Sequence, residues 1–335
     1  MQATVKSYLE NLKLGEIQVH ENMAVFPLFA AGNGGPSYLT LKEALDKKLI
    51  TVTEIAEAGS VPELKVANSA DLFVLLLDGE ELAGAKQNRV LNTSILMRGK
   101  SEAVIPVSCT EAGRWAYTSA GFHESGNIMA RSIRSSKTRS VSESLRTAKS
   151  YRSDQGQVWN EISRLHEQAG SASPTGAMQD AYMQRAKDLD QYFQAFACQP
   201  KQQGLLVFVN GEVAGMDVLS QAPTYELIHP KLVKSYAMDA LVQKAAAPAV
   251  PAPEKARAFV AEAAACEGST FASTGAGTDH RFQSTRVVGS ALEVDGHVIH
   301  LAFFRTEGGT ETGRISSYTL RRQFRQTRGS DTPQE

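Results

Sequence analysis

A short polar stretch between apolar runs carries the most chemistry in the chain: Glu80, Lys86, Gln87, Asn88, Arg89 and Asn92. Lys86 and Arg89 can attract an anionic ligand. The amides of Gln87, Asn88 and Asn92 both donate and accept, so the set could recognise a phosphate together with a base or ribose. The same residues could instead form an exposed loop held by its own amide network. A second group, Glu111, Arg114 and Trp115, follows closely. Arg114 can pair bidentately with a carboxylate or phosphate, and Trp115 can offer a stacking face. The alternative is a fold-stabilising Glu111–Arg114 pair with Trp115 plugging the core.

For catalysis, Glu80 or Glu111 could act as a base while Lys86, Arg89 or Arg114 stabilises developing charge. Glu80 and Glu81 are adjacent, and neighbours on a strand point to opposite faces, so they do not automatically form an acid/base pair. Cys109 could supply a thiolate, but His123 has no geometric relation to it, and buried cysteines commonly act as small apolar residues. His166 reads as a helix residue, and His280, His297 and His300 alternate with apolar residues without specifying ligand geometry. No metal site is expected, and no cofactor is identified. The glycines at 32–35 lack a phosphate-loop lysine, and the later glycines lack a dinucleotide-binding fingerprint.

The elements that must position these residues show an internal echo. Leu75-Leu76-Leu77-Asp78-Gly79-Glu80 and Gly84 return as Val207-Phe208-Val209-Asn210-Gly211-Glu212 and Gly215, which predicts two related halves. Both copies read as a buried strand followed by a hairpin turn, since Asp, Asn and Gly tolerate positive backbone dihedrals. Further strands are expected at 17–29, 90–97 and 103–108, and a hairpin at Asp295-Gly296. Thr40 with Glu43 forms a capping box for a short helix. Ser140 and Glu143 are expected to start a helix, 177–197 to form another, and further helices to follow Pro230 and to span 254–265. The proline-rich stretch 245–253 reads as a spacer. The fold class is α+β, with strand-rich β-sandwich or barrel-like halves at 1–135 and 201–320, a helical insertion at 136–200 and a polar tail at 321–335.

The 35 basic and 36 acidic residues leave a net charge of -1, which gives no global polyanion-binding footprint. Arg131, Arg134, Lys137 and Arg139 form a local basic patch, read here as a solvated insertion, and no nucleic-acid partner is expected. Arg321, Arg322, Arg325 and Arg328 in the tail could serve a polyanion. No apolar run approaches membrane-spanning length, and no secretory signal opens the chain, so a soluble cytoplasmic protein with no membrane partner is expected. The widely separated Cys109, Cys198 and Cys266 imply neither disulfides nor zinc.

Two blocks carry a family resemblance. Asp78-Gly79-Glu80-Glu81-Leu82-Ala83-Gly84-Ala85-Lys86-Gln87-Asn88-Arg89 and Ile105-Pro106-Val107-Ser108-Cys109-Thr110-Glu111-Ala112-Gly113-Arg114-Trp115 resemble the bacterial ARG and rhodanese-phosphatase-superfamily-associated protein domain. The resemblance implies an association with ADP-ribosylglycohydrolase and rhodanese-phosphatase systems, and with it a protein partner in ADP-ribose-related metabolism. It transfers no mechanism. Together with the two polar groups it points to a module binding a nucleotide or ADP-ribose-like small molecule. The alternatives are a hydrolase or transferase acting on a phosphorylated nucleotide derivative and a noncatalytic protein-interaction adaptor.

Overall fold

The computed structural model describes residues 1–30, 35–55, 62–243 and 250–306. The chain begins with α1 (Ala3–Glu10), β1 (Lys13–Leu14), β2 (Gln18–His20) and β3 (Met23–Phe29). Next, β4 (Tyr38–Thr40) runs directly into α2 (Leu41–Asp46). The junction is the expected capping box: the Thr40 hydroxyl accepts from the Glu43 backbone, and the Glu43 carboxylate accepts from the Thr40 backbone. A run of strands follows: β5 (Ile50–Thr53), β6 (Glu63–Asn68), β7 (Phe73–Leu76), β8 (Glu80–Gly84), β9 (Arg89–Leu91), β10 (Ile95–Met97), β11 (Ser101–Cys109) and β12 (Phe122–Ile128). Helices α3 (Arg131–Ala148), α4 (Gln155–Ala169), α5 (Met178–Gln184) and α6 (Ala186–Ala195) separate these from β13 (Gly204–Val209) and β14 (Glu212–Leu219). The described chain closes with α7 (Ala222–Val242), α8 (Pro253–Ala264), β15 (Glu267–Ala272), β16 (Thr278–Gln283), β17 (Val287–Val294) and β18 (His297–Arg305).

The architecture is α+β, as composition and patterning predict. A nine-stranded antiparallel sheet runs β1-β3-β13-β14-β18-β17-β16-β15, with β2 also paired to β3. A six-stranded sheet, β12-β8-β9-β11-β6-β5, curls into a half-barrel, and a small sheet orders β10-β7-β4. The large sheet is covered on both faces, which explains why β13 is apolar without alternation. Leu205, Val207 and Val209 join a core with Tyr236 of α7, while Leu206 and Phe208 join a second core with Val5 of α1 and Phe259 of α8. Each such buried Leu or Phe stabilises the fold by roughly 1.5–3 kcal/mol. The run in β7 divides likewise: Leu75 faces the first core, and Val74 and Leu76 face the half-barrel interior.

The turn of the second echo copy is a hairpin. Asn210 and Gly211 have φ of 51° and 76°, and β13 pairs with β14 across them. Asp295-Gly296 does the same for β17 and β18, with φ of 51° and 78°. The first copy corrects the expectation. Glu80 N–H does donate to the Leu77 carbonyl at 3.1 Å, making a tight turn, but β7 then pairs with β10 and β4, and β8 with β9 and β12. The cause lies in the side chains. Asp78 accepts a hydrogen bond from Lys137, and a Glu80 oxygen accepts from Leu77 N–H at 2.9 Å, so the turn is pulled inward rather than closing a ladder.

Three helix boundaries also differ from expectation. α3 begins at Arg131, so Ser140 lies inside it, and Arg134 and Lys137 are buried core residues rather than a basic surface. Their charges are met by Asp217 of β14 and by Asp78 in the turn between β7 and β8, a pairing that no local pattern announces. The 177–197 helix is broken at Arg185, whose φ and ψ are -101° and 13°. α7 begins eight residues before Pro230, at Ala222, and carries the proline within it. An interior proline removes one backbone hydrogen bond, and here burial of α7 against both sheets and helices outweighs that loss. Gly32 and Gly34 of the glycine-rich stretch, most of the spacer (245–249) and the tail with its arginines lie outside the described residues.

The seam between the sheets is charged and sealed. Asp217 of β14 accepts both guanidinium nitrogens of Arg134, at 2.7 and 3.1 Å, and the Tyr236 hydroxyl at 2.8 Å. His300 of β18 lies 3.3 Å from Asp217 through Nε2 and 2.8 Å from Ser94 through Nδ1. Lys137 donates to Asp78 and to the Leu91 carbonyl. Arg134, Lys137 and Asp217 are almost completely buried.

Candidate functional site

β8 and β9 are joined by a turn that carries the first polar group, and its shape depends on Gly84. That residue has φ of +121°, and a Cβ there would meet Ser119 Oγ at 2.5 Å and the Gly121 carbonyl at 2.8 Å. Ala85 also sits at positive φ, 42°. Gly84→Ala is therefore expected to lower stability by about 1–3 kcal/mol from backbone strain. Urea denaturation measures this, and an unchanged midpoint would show that the turn does not require glycine.

The turn is clasped by the second group. Arg114 donates to the Ala85 carbonyl at 2.8 Å, to Asn88 Oδ1 at 3.1 Å and to Glu111 at 2.6 Å. Glu111 also accepts from Asn88 N–H at 3.2 Å and from the Thr175 hydroxyl at 2.8 Å, and its carbonyl accepts from Gln87. Burial pushes the Glu111 carboxyl up, but Arg114, Thr175 and the Asn88 backbone outweigh it and hold the group below its ordinary range. The turn and the Glu111–Trp115 stretch thus form one structure. Lys86, Gln87, Asn88, Arg89, Glu111, Arg114 and Trp115 come together in it.

Two of the sequence candidates lie elsewhere. Asn92 donates to the Tyr151 carbonyl and accepts from Ser108. Glu80 faces α7, where it pairs with Lys231, which also contacts Glu124 at 3.1 Å. Alternation along β8 accordingly sends Glu81, not Glu80, to the side of the cluster. Glu81 is fully buried and accepts from the hydroxyls of Thr110 at 2.8 Å and Ser125 at 3.0 Å. Ser125 and Asn127 reach it because the pairing of β12 with β8 shifts register between Glu124 and Ile128. Such bulges re-aim side chains. Burial pushes the Glu81 carboxyl up to about 7, against its three hydrogen-bond donors and with the charge of Glu111 adding to the rise. The two carboxyls of this cluster are thereby driven apart in acidity.

The rim is aromatic. Trp115 and Tyr117 are 49% and 52% exposed, the Lys86 ammonium lies 5.4 and 5.0 Å from their ring centres, and the Arg89 guanidinium lies 5.8 Å from that of Trp115. Behind them Cys109 is buried, and burial pushes its thiol up to about 11, so it is a neutral thiol rather than a nucleophile at neutral pH. His280 and His300 do not converge: His280 contacts Glu293 and His300 contacts Asp217. Among the described residues no group of three His, Cys, Asp or Glu side chains could hold a metal ion, and no helix is long and apolar enough to cross a membrane.

A family model described as ARG and Rhodanese-Phosphatase-superfamily-associated Protein domain matches residues 11–304. The chain belongs to this family. The match takes in every cluster residue named above and nearly all of the described fold. No curated protein and no solved structure matches the chain. The family description refers to the rhodanese-phosphatase superfamily and does not name ADP-ribose, which corrects the ADP-ribose association expected from the sequence. Family membership brings no catalytic residue with it, and the chemistry has to be argued from the cluster.

Glu54 is the cluster residue that sequence reasoning did not single out, and Glu81 was weighed only as a neighbour of Glu80. Glu81 was recognisable in principle: two adjacent carboxylates on a buried strand must serve opposite faces. Glu54, at the far end of β5, reaches Arg89 only through the curl of the half-barrel.

Proposed function

We propose that the Lys86–Trp115 face binds a small anionic ligand that carries a planar ring, of the nucleotide class. The observation that supports this reading is the pair of half-exposed rings, Trp115 and Tyr117, held over the cationic ends of Lys86 and Arg89. The rings supply a stacking surface, the cations attract phosphate, and the turn beneath is locked by the Arg114 clasp, so binding costs little ordering. Trp115→Ala is expected to weaken binding of ribonucleoside 5′-monophosphates by about ten-fold or more, since stacking on an aromatic side chain contributes roughly 1–3 kcal/mol per base. Isothermal titration reads the affinity. Equal affinity in wild type and variant, with the fold intact, would sink the reading.

One observation favours hydrolysis as a second reading. Glu81, with its carboxyl near neutrality, is suited to take a proton from water and return it to a leaving group, while the ionised Glu111 stays committed to Arg114. Under this reading Glu81, rather than Glu80, is the acid/base residue.

A further inference from the structure

Arg89 and Glu54 lie behind the aromatic rim, and they are paired imperfectly. The Arg89 side chain is fully buried and that of Glu54 is 5% exposed, yet their closest approach is 3.6 Å. Arg89 spends Nη1 on Gln87 Oε1 at 3.1 Å, while its Nε and Nη2 and both oxygens of Glu54 have no hydrogen-bond partner. A guanidinium and a carboxylate free to meet close to about 2.7–2.9 Å. Leaving buried charged groups unsatisfied is costly, so four such atoms on one loosely paired arginine and glutamate call for a third group beside them. The neighbouring Cys109 thiol also acts on Arg89, but burial keeps it neutral, so it brings no counter-charge.

We infer that Arg89 and Glu54 together read the hydrogen-bonding edge of the ligand's ring. Arg89 donates to a carbonyl or ring nitrogen, and Glu54 accepts from an adjacent ring or exocyclic N–H. This inference rests on the nucleotide-class reading and orients the ligand within it. A phosphate offers only acceptors and is repelled by Glu54, so it belongs at the outer, Lys86 side. The heterocycle, covered by Trp115, turns its edge toward Arg89 and Glu54.

Titration of the four ribonucleoside 5′-monophosphates into the wild-type chain, Glu54→Gln and Trp115→Ala tests this. Glu54→Gln preserves shape and replaces a charged acceptor, so the tightest-binding nucleotide is expected to bind it about 10- to 100-fold more weakly, the usual size of a charge-assisted hydrogen bond. Should Glu54→Gln fail to fold, Glu54→Asp, which withdraws the carboxylate by one methylene, is expected to show a loss in the same direction. Wild-type affinity in the Glu54 variants alongside a loss in Trp115→Ala would overturn edge recognition and leave the binding reading standing. No binding of any nucleotide to wild type overturns both.

Discussion

Asp217→Asn is expected to lower the unfolding free energy by about 3–5 kcal/mol, because it leaves the Arg134 guanidinium buried without its principal counter-charge. The substitution keeps the shape of the side chain, so the loss reports charge and not a cavity. Arg134 would retain only Asp78, at 3.6 Å and outside hydrogen-bonding geometry. Tyr236 and His300 would face an amide in place of the carboxylate they now share. Removing both charges as Arg134→Met with Asp217→Leu is expected to recover much of the deficit, since a well-packed apolar pair avoids the desolvation penalty. Denaturation in guanidinium chloride measures both. If the single variant costs under 1 kcal/mol, the seam is not held by this pair. Burial alone would raise the Asp217 carboxyl, but Arg134 and His300 hold it far below the ordinary aspartate range. Its contribution is therefore fully present above that ordinary range and is lost progressively as pH falls from the ordinary value to the depressed one.

Glu81→Gln carries the second large effect, and with the opposite sign. The folded chain keeps the Glu81 proton up to about pH 7, whereas the ordinary value is 4.5. Between these values the unfolded state binds fewer protons than the folded state, so stability falls as pH rises through the window. The amide mimics the protonated carboxyl and does not titrate. Wild type and variant are expected to be similarly stable at pH 4, with the variant more stable at pH 8 by on the order of 3 kcal/mol. Thermal melting across this range decides it: parallel curves would contradict the shift. If the hydrolytic reading holds, the same substitution abolishes turnover while raising stability, the signature of a residue kept for work at a cost to the fold.

Local geometry was legible from residue types, and tertiary partners were not. Asn210-Gly211 and Asp78-Gly79 both make tight turns, with positive φ at both residues of the former and at Gly79 alone of the latter. Only the first closes a hairpin, because Asp78 is claimed by Lys137 of α3. The same distant pairing hid the helix start. A stretch with Arg131, Arg134, Lys137 and Arg139 reads as solvated until the buried acids that receive three of those charges are known. Within the site, the types of Lys86 to Arg89 and of Glu111 to Trp115 announced polar recognition. Their convergence depends on β9 pairing with β11, which sets Arg89 beside Cys109 and brings the two groups together. The strand alternation that separates Glu81 from Glu80 was legible, but the partners of Glu81 follow from a β-bulge and the place of Glu54 from sheet curvature, features without a local signature.

The pairing of β3 with β13 has a consequence for how the chain reaches this state. Residues 23–29, made near the start of synthesis, dock against residues 204–209, so the centre of the large sheet cannot assemble until most of the polypeptide exists. Long-range pairing of this kind slows folding, because the entropy of closing a long loop is spent before contacts reward it. Until then β3, nearly continuous in apolar residues, has only β1 and β2 to pair with and leaves its other edge open, and the protection of that edge from wrong partners falls to dilution and chaperones.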